Sequence, residues 1–205
     1  MELSEPLKPS AILLILVNLV PLIGVLLFSW EAAGILLIYW SESAIIGFYM
    51  ILKIIFAKGD IGTPASRFFI VLFLAFHFGM FMLGHLFFLL MAVIPESYYS
   101  PLFSGDSFEA GLQNFLEASG NWLFTVMLLF MSHGFSFLTN YIIGGEREKA
   151  DVGTLMQMPY QRVVVMHITI IFGAMLGAPV LVLVLIKIIF DLRAHLAERG
   201  IQIPF

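Results

Sequence analysis

The chain has 205 residues, of which 60% are hydrophobic and 12% charged, with a mean hydropathy of +1.00 and a net charge of −4. Soluble domains are nearer half apolar and a quarter charged, so the composition points into lipid. With no cysteine, disulfides, thiolate metal ligands and cysteine nucleophiles are excluded, and the lack of a basic stripe argues against nucleic acid as a partner.

The opening Met1-Glu-Leu-Ser-Glu-Pro6 is acidic and unlike the cationic start of a cleaved signal peptide, so the first apolar run is expected to be retained. That run, 11–28, follows Pro6 and Pro9 and is interrupted by Asn18 and Pro21, which suggests a kinked span. A short turn at Trp30 and Glu31 leads to a second span at 32–56, and a third follows at 68–94. The stretch from Pro95 to Asn121 holds Glu96, Asp106, Glu109 and Glu117 but no Lys or Arg. Within it Phe108, Leu112, Phe115 and Leu116 recur at helical spacing, which predicts a short interfacial amphipathic helix. A fourth span is expected at 122–143.

The last apolar run, 163–190, would extend about 42 Å as a helix against a bilayer core of about 30 Å. It reads as one long tilted span kinked near Gly177-Ala-Pro179, with a re-entrant hairpin as the alternative. Runs of this length with so little charge cannot alternate as barrel strands do, and lipid leaves backbone amides no partner outside the chain. The expected class is all-α: a polytopic transmembrane helical bundle of about five spans forming one domain over 1–205. Lys58, Arg67, Arg147, Lys149 and Arg162 place the loops 58–67 and 146–162 on the cytoplasmic side, in what is expected to be the cytoplasmic membrane of a prokaryote. Five spans then put Lys187, Arg193 and Arg199 outside, against the positive-inside tendency.

Ionisable groups inside spans are costly and usually face the bundle interior. Here they are Glu42, His77, His85, His133 and His167, so four of the five histidines fall within predicted spans. Counting rise per residue places His77 and His133, with His167 nearer to them, in one layer and Glu42 with His85 in another. If all five converge, the four imidazoles could ligate a divalent transition metal such as zinc or iron, with haem less suited, and Glu42 could act as a ligand or as general base on metal-bound water. Such a centre would suit hydrolytic or redox chemistry on a lipid-soluble small molecule. No His-Glu-x-x-His sequence occurs, so the metal reading depends on convergence between helices. The same residues could relay protons in a carrier or channel, or could simply bond helices together in a structural subunit.

Further polar positions cluster by periodicity. Ser132, His133, Ser136 and Asn140 share a helical face, while Lys187, Asp191 and His195 form an i, i+4 stripe at the far membrane boundary. The stripe could supply an Asp191/His195 pair or be a solvated helix end. Gly79, Gly84, Gly134, Gly173 and Gly177 are expected to allow close helix approach.

These segments resemble the membrane proteins of domain of unknown function 6498. The likeness is carried by Tyr39-Trp-Ser-Glu42, His77-Phe-Gly-Met-Phe with Gly84-His85, and Ser132-His-Gly-Phe-Ser-Phe with Asn140. It continues in Gly145-Glu-Arg147, Pro159-Tyr-x-Arg162 with His167, and Lys187 with Asp191-Leu and His195. Arg147 stands where the resemblance implies an aromatic residue. The resemblance implies that Glu42 and the histidines belong to one set, and implies no activity.

Overall fold

The computed structural model describes residues 9–28, 30–59, 62–176 and 182. Among these it is all helical, without strands: α1 (Pro9–Phe28), α2 (Ala32–Phe56), α3 (Pro64–Ala92), α4 (Phe108–Ser136) and α5 (Val152–Leu176), with short 3-10 turns between. Three helical stretches are long and apolar enough to cross a membrane: Ala33–Phe56, Pro64–Ala92 and Trp122–Ile143. In α1 the apolar stretch among the described residues is shorter, Leu19–Phe28.

Local chemistry sets the helix starts. Thr63 caps α3 by accepting a bond from Ser66 N at 3.2 Å, with Pro64 at the first helical position where no amide hydrogen is needed. Ser107 caps α4 in the same way through Ala110 N. At α5, Asp151 Oδ2 accepts from Thr154 N at 2.8 Å and from the Thr154 hydroxyl at 3.0 Å. Those bonds hold the Asp151 carboxyl below its ordinary pKa.

Two boundaries differ from the sequence expectation. The amphipathic segment around Phe108–Leu116 is not a separate interfacial helix but the opening of α4, which runs unbroken into the fourth span. No proline separates the two segments, so nothing stops the hydrogen-bond ladder. Likewise α5 begins at Val152, inside what reads as a loop, and continues through Pro159. Proline removes one backbone bond there, but the Asp151 cap and the apolar run beyond carry the helix across it. The kink expected near Gly177 and the stripe Lys187, Asp191 and His195 lie outside the described residues.

Helix α2 is the centre of the bundle and packs against α3, α4 and α5, while α1 packs against α4. In the most apolar window of α2, 67% of residues are buried, against 22% in that of α3. Ile35, Leu36, Ile38 and Ile54 of α2 are sealed against Leu74 and Leu89 of α3 and Leu129 of α4. The open flank of α3 presents Phe69, Phe76, Leu83 and Phe87, an apolar surface that only lipid or another apolar surface suits.

The side-chain pairings give the helix directions. Trp40 donates to Met82 O at 2.9 Å and Arg67 donates to Ile55 O at 3.2 Å, so α2 and α3 are antiparallel. Tyr49 donates to Phe130 O at 3.0 Å and Tyr141 to Lys53 O at 2.7 Å, so α2 and α4 are parallel. The basic loops meet at one end: Lys58 N donates to Arg147 O at 2.9 Å, and Lys58 Nζ pairs with Glu148 at 3.0 Å.

Candidate functional site

Glu42, His77, His85, His133 and His167 do not form one centre. The structure divides them between two seams, and among the described residues no three His, Asp or Glu side chains come together as a metal site would require. Helical phase is the reason. The buried stripe of α3 is Leu74, Phe78, Met82, His85 and Leu89, at steps of three and four residues. His77 falls off that stripe and is exposed, stacked on Phe73 with ring centroids 5.3 Å apart.

The first seam joins α2 to α4. Glu42 is 3% exposed, flanked by buried Ser41 and Ser43. It precedes Tyr49 by seven residues, two helical turns, and so shares the face that Tyr49 turns toward α4. The imidazole of His133 stacks on the Tyr49 ring at 6.3 Å. Gly134 permits this approach, because a Cβ there would lie 2.6 Å from the Tyr49 hydroxyl. Gly79 and Gly84, by contrast, have no described atom near the position of a Cβ, so they serve no close approach among the described residues.

The expected polar face of α4 is realised in part. Ser132 is buried, and Asn140 donates to the Ser136 hydroxyl at 3.2 Å. The helix then widens into a π-helical stretch, Phe137–Ile143, which turns Phe137 and Tyr141 into the core. A π insertion shifts every later residue around the axis, a change of phase that a regular 3.6-residue count does not contain.

The second seam joins α3 to α5. Here His85 Nε2 meets His167 Nδ1, with ring centroids 4.6 Å apart and the planes nearly perpendicular. His85 is 8% exposed, and its other nitrogen, Nδ1, lies 3.0 Å from Phe81 O. A carbonyl can only accept, so Nδ1 carries the hydrogen and Nε2 presents a lone pair to His167. Nearer the basic loops, His77 approaches the Tyr160 ring at 5.8 Å, and Tyr160 also packs on Phe78. These pairings rise together along both helices, so α3 and α5 run parallel.

This pairing corrects the layer assignment, which separates His85 from His167. Because α5 starts at Val152, His167 lies 15 residues along it, about 22 Å from its start, well past the depth implied by a span beginning at 163. Three other features had no counterpart in the sequence reading: Tyr160 beside His77, the π-helical stretch, and the Lys53 ammonium over the Tyr141 ring at 5.5 Å. The Asp151-x-x-Thr154 cap was the available signal for the early start of α5.

Among known proteins, the model of a family of unknown function, DUF6498, matches residues 1–202, and the chain therefore belongs to that family. No curated protein and no solved structure matches it.

Proposed function

Taking the chain as a member of that family with three described helices long and apolar enough to cross a membrane, we propose that it works as a proton-exchanging membrane protein, a carrier or channel whose full bundle has five spans. Its working centre is the His85–His167 pair. The observation that carries this reading is the 3.0 Å contact of His85 Nδ1 with Phe81 O, an acceptor that assigns the ring hydrogen to Nδ1. It leaves Nε2 of His85, as an acceptor, facing Nδ1 of His167. Imidazole takes up and releases a proton near neutral pH, so a pair that shares one proton can pass it on when the helices shift. His77 and Tyr160, on the same seam, are the polar groups on the side of the basic loops.

The test is proton flux in proteoliposomes under an imposed pH gradient. His85→Ala and His167→Ala should each abolish flux, while His133→Ala on the other seam should leave it near wild type. Equal flux in all four proteins would end the proposal.

A second reading keeps the metal. A ligating histidine commonly donates its other ring hydrogen to a backbone carbonyl, which is what His85 does toward Phe81. In this reading the pair holds a divalent zinc or iron ion, completed by ligands beyond the two imidazoles, and acts on a lipid-soluble substrate. Elemental analysis of protein purified without chelators decides it. Stoichiometric metal lost in His85→Ala favours the ion, and its absence in wild type after reconstitution favours the proton.

A further inference from the structure

His77 stands near the middle of α3, a helix long and apolar enough to cross a membrane, yet it is exposed. Its ring touches Phe73 and Tyr160, but among the described residues neither ring nitrogen has a hydrogen-bond partner. Acyl chains offer neither donor nor acceptor, and ionisable side chains within spans almost always face protein or a water-filled cavity. An open imidazole at this depth therefore marks a protein contact that the described residues do not supply.

The surface around it has the pattern of a helix-pairing seam. Phe73, His77, Met80, Gly84, Phe87 and Met91 are all exposed and follow one another at steps of four and three residues. A repeat of about 3.5 residues keeps one stripe turned toward a partner helix along its whole length. Gly84, two turns beyond His77 on this stripe, has no described atom within 4 Å of where a Cβ would lie. Packing among the described residues gives no reason for glycine there, whereas a second helix backbone passing close by does.

Hydrogen-bond complementarity identifies the partner. A neutral imidazole has one donor and one acceptor nitrogen, so an identical ring satisfies it. Two copies inserted in the same sense are related by a twofold axis along the membrane normal. Such an axis brings each residue of α3 to the same residue of its counterpart, at the same depth. We propose that this face of α3 pairs with α3 of a second copy, each His77 bonding the other across a parallel dimer, with Gly84 at the close crossing.

The inference is independent of the His85–His167 reading, since neither of those rings lies on the stripe. The chain has no cysteine, so single cysteines report without background. In proteoliposomes, oxidation should cross-link Met80→Cys into a dimer. Leu72→Cys, exposed but about 100° around the helix from Phe73, should stay uncross-linked. Single-molecule photobleaching of the labelled full chain, diluted in lipid, then measures the affinity. His77→Leu should weaken the dimer about three- to tenfold, and Gly84→Leu should weaken it at least as much. His77→Asn, which keeps a donor and an acceptor, should retain it. Both positions are exposed, so these changes leave the core of each copy in place. A chain that stays monomeric would overturn the proposal, whether Met80→Cys is open to a lipid-phase thiol reagent or shielded by residues beyond 176. So would a dimer whose affinity is unchanged in His77→Leu and Gly84→Leu.

Discussion

The two polar seams of this bundle use similar residues to different ends. Between α2 and α4, tyrosine hydroxyls close onto backbone carbonyls: Tyr49 on Phe130 O and Tyr141 on Lys53 O. Each such bond joins one donor to one acceptor and leaves nothing to exchange, which is how polar groups bind helices together in lipid. Between α3 and α5, two ring nitrogens face each other, His85 Nε2 and His167 Nδ1. Polarity inside a membrane is therefore not by itself a mark of chemistry. What distinguishes the second seam is that two imidazoles meet nitrogen to nitrogen, whereas His133 of the first stacks on the Tyr49 ring.

The largest effects should come from the shared core. Ile54→Ala, at a side chain with no exposure in α2, should destabilise the fold by about 2–5 kcal/mol. Phe76→Ala on the open flank of α3, 73% exposed, should cost about 0.5 kcal/mol or less. Reversible unfolding in mixed micelles measures both, and equal losses would show that α2 is not the centre.

Next in size is His85→Ala, which removes a buried side chain together with its contacts to Phe81 O and the His167 ring and should cost about 1–3 kcal/mol. His77→Ala, at an exposed position, should cost much less. Tyr49→Phe removes one hydrogen bond from the α2–α4 seam and should cost about 1 kcal/mol without altering proton flux. A loss of flux in that variant would erase the distinction between the seams.

The smallest effect is at Asp151. Its pKa is lowered in the folded protein, so the stabilisation of α5 by the cap is present above the unfolded pKa and is lost as pH falls through the folded one. Amide exchange at Thr154 should accelerate below the ordinary carboxylate range, and Asp151→Ala should show fast exchange at every pH.

The helical class and the approximate extent of α2, α3 and the fourth span were legible because long uncharged runs have few alternatives in lipid. The start of α5 was obscured by Pro159, whose breaking tendency was outweighed by the cap at Asp151. The convergence of Glu42 with four histidines failed for a geometric reason. Depth along a helix can be counted from sequence, but direction around the axis also depends on which neighbour each face meets. Glu42 shares its face with Tyr49 toward α4, and His85 lies on the stripe of α3 where it meets His167 of α5. The π-helical widening at Phe137–Ile143 adds a phase change that no regular period encodes.

The most direct measurement is a double-mutant cycle on His85→Ala and His167→Ala, read by unfolding free energy in the same micelles. The paired-imidazole arrangement predicts a coupling of at least about 0.5 kcal/mol between these two positions, and additivity for His85→Ala with His133→Ala. Additive losses at 85 and 167 would mean that the two rings do not share a partner, and the proposed centre would be lost with them.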